Sequence, residues 1–367
     1  MPVEDRFGEA PPFALGVEEE LMILDAETLD QIPGVRRLLA GLAGHMLPGS
    51  VKTELFASVF ELNTNVCATA AEADVALGKL RRAAAGAAAT EGFVVAAAGT
   101  HPFARPEEQE IVQEDRYLAF VEEGGLTVRR QGVQGLHVHV AMPDADACWR
   151  CLDAVLPWLP VVLALSANSP WLSGVATGFA SNRAPRLAEL PRAGVAPAFR
   201  SYGEWESWVD HLVRLGVVED YTRIWWDVRP HPKLGTLEVR IADQPTDFRL
   251  SAAFAALVQA LCATALDGGL PAASQLGDRG RGYYVQNRWS AARFGPAARL
   301  AHPGGDTLAT AAEVGHELLE YVRPAARSLG GGAMLERLDP DRCEAEAQLA
   351  FADPYAATAD LVGRSLA

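Results

Sequence analysis

Four stretches of the chain alternate apolar and polar residues with a period of two, the mark of strands buried on one face. In Leu136-His137-Val138-His139-Val140 two histidines share one side and the aliphatics the other. Leu237-Glu238-Val239-Arg240-Ile241 repeats the pattern with a carboxylate and a guanidinium. Gly16-Val17-Glu18-Glu19-Glu20-Leu21 aligns Glu18 with Glu20, and Phe60-Glu61-Leu62-Asn63-Thr64-Asn65 aligns Glu61, Asn63 and Asn65. Between these strands the spacing changes to that of helices. Helices are expected over Thr69–Thr90, from Asp144 or Asp146 to about Leu165, and at Tyr202–Leu215, Leu250–Leu266 and Ala311–Arg323. Pro- and Gly-rich stretches at Pro185–Pro197 and Asp267–Gly282 read as long loops, and the last forty residues give little pattern. Short, half-polar strands in irregular alternation with helices favour an α+β class with a mainly antiparallel sheet, because a covered parallel sheet would show continuous aliphatic runs.

Composition narrows the function without naming it. A net charge of −15 over 367 residues disfavours binding to nucleic acid or to an anionic membrane surface, though a local cation can still admit a nucleotide. The longest apolar run, Ala154–Ala167, is shorter than a bilayer span and holds Pro157 and Pro160, so no membrane segment is expected. The acidic start lacks the features of a signal peptide, and five scattered cysteines form no disulfide framework. These features predict a reduced, cytoplasmic protein, and an oligomer is expected. Only Lys52, Lys79 and Lys233 are available as lysines.

The polar strand faces carry the chemistry. Any one of them could be a solvated sheet surface. Together they present Glu-x-Glu, His-x-His and Glu-x-Arg, with Glu61 and, seven residues earlier, Glu54. Carboxylates two apart on a strand lie about 7 Å from each other and repel, so a cation is their natural partner. Oxygen ligands with one imidazole suit Mg²⁺ or Mn²⁺ better than a closed zinc site. Such a metal beside an arginine is equipment for phosphoryl transfer, although the same carboxylates could serve a metal-dependent amide hydrolase. Gly44–Thr53 fails as a phosphate-binding loop because Ser50 stands where lysine is needed. Cys148-Trp149-Arg150-Cys151 has redox spacing but lacks the surrounding pattern, and Trp225-Trp226 reads as core. His45, His101, His211, His302 and His316 read as surface or loop residues.

Several motifs in order carry a resemblance: Gly16–Leu21, Glu54-Leu55-Phe56 with Phe60–Thr64, Gly135–Val140, Ser166–Pro170, Thr177–Arg183, Trp225–His231 with Leu237–Arg240, and Asn287–Gly295. The chain resembles the bacterial carboxylate-amine ligases, also called type 2 glutamate–cysteine ligases, over residues 13–295, leaving 296–367 as a C-terminal part of one catalytic chain. The resemblance implies a glutamine-synthetase-like catalytic fold in which a curved antiparallel sheet, flanked by helices, forms a funnel. It implies a reaction in which ATP phosphorylates a carboxylic acid and an amine displaces the phosphate, with glutamate and cysteine as the favoured pair. A catalytically silent member that binds nucleotide or amino acid is the other outcome within the family. By the family pattern Glu18, Glu20, Glu54, Glu61, His137 and Glu238 hold Mg²⁺ or Mn²⁺. His139 approaches the nucleotide, and Arg240, with Glu238, acts on the transferred phosphoryl group. Arg183, Arg229, Asn63 and Gln131 are expected to contact the small-molecule acid and amine.

Overall fold

The structure is a computed structural model that describes residues 5–270 and 277–366. Its centre is a seven-stranded sheet. β1 (Leu15–Asp25) runs through the middle and pairs on one side with β3 (Val59–Thr64), which pairs in turn with β2 (Gly49–Thr53). Its other side is shared by β4 (Phe93–Ala96) and β5 (Gly135–Ala141). Two-residue strands β6 (Trp171–Leu172) and β7 (Val175–Ala176) form a separate ribbon, as do β8 (Ala193–Gly194) and β9 (Trp225–Trp226). The main sheet then continues from β5 to β11 (Thr236–Asp243) and β10 (Val228–His231). Every pairing in the main sheet is antiparallel. The expected class and sheet type are therefore the observed ones.

Helices flank the sheet. Among them are α1 (Val35–Gly41), α2 (Ala70–Thr90), α3 (Asp115–Arg129), α4 (Ala145–Val155), α5 (Leu159–Ser166), α6 (Arg183–Leu187), α7 (Tyr202–Arg214), α8 (Phe248–Leu266), α9 (Gly277–Phe294) and α10 (Ala311–Ser328). Local chemistry sets their starts: the Thr69 hydroxyl accepts from the Glu72 N–H, and Asp144, not Asp146, caps α4 through the Ala147 N–H. The apolar run predicted to be short belongs to a helical stretch, Ala145–Ser166, that with α8 is long and apolar enough to cross a membrane. Both are mostly buried inside the protein.

Two loop expectations change. Asp267–Gly282 is helical from Gly277, while residues 271–276 lie outside the described part. Tertiary contacts override its glycines, since Tyr284 and Arg288 of α9 both bond the buried Asp227 carboxylate, at 2.7 and 2.6 Å. Pro185–Pro197 is irregular apart from the end of α6 and β8. His101, expected as a surface or loop residue, lies in a loop yet is 4% exposed: its Nε2 meets the Leu29 carbonyl at 3.0 Å, and its Nδ1 accepts from the Phe103 and Ala104 N–H groups.

A charged residue sits on the covered face. Glu19, between the two outward-facing carboxylates of β1, is fully buried and forms a two-pronged pair with Arg81 of α2 at 2.6 and 2.8 Å. The other donors of Arg81 reach the carbonyls of Pro245, Thr246 and Ser365, so one guanidinium ties α2, β1, the chain after β11 and the C-terminal helix together.

Candidate active site

Strand register assembles the polar face. Glu18 lies opposite Asn63 on β3 and His137 on β5, Glu20 opposite Glu61, and Glu238 between His139 and Arg229. Because side chains alternate, one register places all of these groups on the same side of the sheet. A β-bulge interrupts the β11–β5 ladder between Val239 and Ala242, where the Arg240 N–H turns to the Asp227 carbonyl at 2.8 Å. Bulges of this kind re-aim a side chain. Here Arg240 reaches Glu238 and lies 3.4 Å from His137 Nδ1.

Distances within the cluster are short. His137 Nδ1 is 3.1 Å from Glu18 and its Nε2 3.9 Å from Glu20. His139 Nε2 lies 3.5 Å from Glu18 and 3.8 Å from Glu238, and its Nδ1 meets the Thr236 hydroxyl at 3.0 Å. Two sets, Glu18–His137–Glu238 and Glu20–Glu61–His137, each bring donor atoms within 4.8 Å of one another. Glu54, at the end of β2, completes the acidic wall, and the Tyr117 hydroxyl lies 3.3 Å from its carboxylate.

The electrostatics divide this wall. Burial opposes ionisation of Glu18 and Glu238. His139 and His137 more than offset it for Glu18, and Arg229 and Arg240 do so for Glu238, so both carboxyls fall well below the ordinary range. Burial and the neighbouring carboxylates push Glu61 well above that range, and burial with Glu20 beside it raises Glu54 to about 7. The site thus holds more acid than its own cations neutralise. His137 Nε2 and His139 Nε2 are also buried without a hydrogen-bond partner. Carboxylates in excess with free imidazole nitrogens fit a hard divalent ion such as Mg²⁺ or Mn²⁺.

Not every expected contact faces open space. Arg229 spends its fork on Glu238, at 2.6 and 3.3 Å, and on the carbonyls of Thr222 and Ile224, so it orients that carboxylate from behind. Arg183 is buried and donates to the carbonyls of Arg240 and Ile241, bracing the bulge. Asn63 donates to Glu61 at 2.7 Å. Gln131 donates to the carbonyls of Thr127 and Arg186, leaving its own oxygen buried without a partner. Cys148 and Cys151 are buried in the core, and their thiols are pushed far up, so the redox spacing carries no reactive thiol.

Two cavities flank the cluster. One of about 310 Å³ touches Glu20, Glu54 and His137 and is walled by Arg116, Arg183, Arg223 and Arg240 with Tyr117, Phe120 and Trp225. The other, about 290 Å³, touches Glu18 and His139 and is lined by Lys52, Ser50, Asn63, Thr236, Val66 and Leu234. Trp226 is core as expected, but Trp225 is only partly buried and stands in the first cavity. Sequence reasoning missed the aromatic wall of that cavity, because Tyr117 and Phe120 lie on a helix whose inward face is not legible from charge alone.

The fold is shared with two solved proteins. A glutamate–cysteine ligase from Francisella tularensis, solved with AMP, superposes over 99% of this chain and 90% of its own with a TM-score of 0.67 at 13% identity. A bifunctional glutathione synthetase from Pasteurella multocida superposes over 97% of this chain and 49% of its own, with a TM-score of 0.63 at 16% identity. Residues 14–342 match the family model described as glutamate-cysteine ligase family 2, and the chain belongs to that family. Two proteins of Rubrobacter xylanophilus, provisionally named glutamate–cysteine ligases 2-3 and 2-1, are 40% and 38% identical to it. The first match covers 91% of this chain and 90% of the relative, the second 90% and 86%.

Proposed function

We propose that the protein is an ATP-dependent ligase that joins a carboxylic acid, glutamate by the relatives' names, to the nitrogen of an amino acid. The observation that carries this is the placement of one buried carboxylate–imidazole cluster between two cavities of different chemistry. The arginine-walled cavity suits carboxylates, because a guanidinium fork matches them in two places. The other cavity has largely apolar walls, with Lys52 and His139 among its lining, and takes the nucleotide.

Glu18, His137 and Glu238, with Glu20, Glu54 and Glu61, are the residues that would hold divalent ions, which would supply positive charge to neutralise the triphosphate. A carboxylate oxygen of the acid attacks the terminal phosphorus of ATP. The new O–P bond gives an acyl phosphate, and ADP leaves with the electron pair of the broken bond. Arg240 places its guanidinium where charge gathers on the moving phosphoryl group. Glu238 and the bulge hold Arg240 in place, and Arg229 and Arg183 fix those supports in turn. The amine then attacks the acyl carbon, the C–N bond forms, phosphate departs and the nitrogen loses a proton. No fixed metal count is needed for these roles.

The test is ADP release over a panel of acids and amines, with and without Mg²⁺, with products read by mass. Turnover that needs acid, nucleotide and divalent ion supports the reading. Amide cleavage that proceeds without nucleotide, or nucleotide binding with no turnover on any pair, overturns it.

A further inference from the structure

The arginine-walled cavity has an apolar end that the phosphoryl chemistry does not use. Phe120 and Trp225 meet there with ring centroids 5.0 Å apart, and Leu190 and Leu187 continue the wall. The guanidinium of Arg223 lies over Phe120 at 6.0 Å, and that of Arg116 over Tyr117 at 4.3 Å. Both arginines pair with exposed or half-exposed carboxylates, Arg223 with Glu219 at 2.9 Å and Arg116 with Glu114 at 3.0 Å, which are cheap to exchange, and Arg116 also donates to the Thr53 hydroxyl at 3.3 Å. The hydroxyls nearby are engaged: Thr222 bonds Asp220, and Tyr117 bonds the Thr53 carbonyl. Among the described residues that line this cavity, Gln131, Gln134, His137, Arg183 and Arg240 each hold a buried side-chain atom without a partner, and of these Gln131 is the one beside the apolar end. Gln131, 6% exposed, has its amide nitrogen fixed on two carbonyls, so its orphan oxygen needs an N–H donor.

We infer that the amine substrate is an α-amino acid with a bulky apolar side chain, aromatic or branched aliphatic, in place of cysteine. Its amino group donates to Gln131, its carboxylate takes a fork from Arg223 or Arg116, and its side chain lies against Phe120 and Trp225. A thiol would leave most of that wall uncovered, whereas each methylene matched to an apolar pocket is worth about 10- to 200-fold in discrimination. The inference rests on the proposed ligase reading and narrows it.

The experiment separates the two. Hydroxylamine is first supplied as a small nucleophile with ATP, Mg²⁺ and a panel of acids led by glutamate. A hydroxamate product supports acyl-phosphate formation, and its absence with every acid sinks the ligase reading itself. With the acid so identified, kcat/KM is measured for phenylalanine, leucine, 2-aminobutyrate and cysteine. Phenylalanine or leucine is expected to exceed cysteine by about 10-fold or more. Trp225→Ala should shrink the phenylalanine-to-cysteine ratio by about 10-fold, a change in preference that a merely destabilised protein would not show. Hydroxamate formation together with equal or better use of cysteine, or a ratio unmoved by Trp225→Ala, overturns the inference while leaving the ligase reading intact.

Discussion

Replacing Arg81 by alanine is the most direct test of how the site is held from behind. Arg81 is 1% exposed, and all five of its N–H groups are used: two on Glu19, three on backbone carbonyls. Removing it strands the Glu19 carboxylate, which keeps only the Ser251 hydroxyl and the Gln244 amide as neutral partners. Breaking a buried pair from one side costs about 3–5 kcal/mol, a large share of the roughly 5–15 kcal/mol that holds a domain folded. Urea unfolding of Arg81→Ala should show that loss, and a double-mutant cycle with Glu19→Ala should show a coupling above about 1 kcal/mol. Additive single losses, or a cost for Arg81→Ala below about 1 kcal/mol, would refute the view that this pair anchors β1. The pair matters to chemistry because Glu18 and Glu20 flank Glu19 on the same strand, so whatever fixes Glu19 also fixes the direction of its neighbours.

Three further outcomes are expected. Arg240→Lys should lower kcat by about 10²-fold or more, since an ammonium cannot reproduce the fork; near-normal kcat would rule out its role at the phosphoryl group. Mg²⁺ or Mn²⁺ at about 100 times its Kd should stabilise the protein by about 2.7 kcal/mol, and Glu18→Gln with Glu20→Gln should erase that gain; melting curves indifferent to the ions would contradict the cluster's reading. Burial holds the His101 imidazole down at about 4 from an ordinary value near 6.5. Below pH 6.5 the unfolded chain takes up a proton that the folded one refuses. Stability should therefore fall between pH 6.5 and 4 by about 3 kcal/mol from this group. His101→Asn should flatten that part of the profile relative to wild type, and identical slopes would defeat the assignment.

What the sequence disclosed, and what it hid, follows from the range of each signal. Strand alternation is local, so the shared face of Glu18, Glu20, Glu61, His137, His139, Glu238 and Arg240 could be read before any register was known. The bulge at Arg240 could not, because it depends on how β11 meets β5 and on the Asp227 carbonyl. Glu19 offered a clue of its own: a charge at an inward position of a buried strand requires a partner. Its partner lies 62 residues away on an alanine-rich helix, and nothing local singles out Arg81 from Arg82. Arg229 and Arg183 show a limit of another kind. Their type suits a substrate carboxylate, but residue type does not reveal what a guanidinium already bonds: Arg229 pairs with Glu238, and Arg183 donates two of its nitrogens to backbone carbonyls while its Nε has no partner. The cavity wall was least legible, since Tyr117 and Phe120 come from α3 and Trp225 from a two-residue strand over 100 positions later. The polar cluster is thus written in short-range pattern, whereas the cavity walls form where distant segments meet. That division explains why family membership can be read from motifs along the chain, while the identity of the amine has to be sought in the cavity's walls.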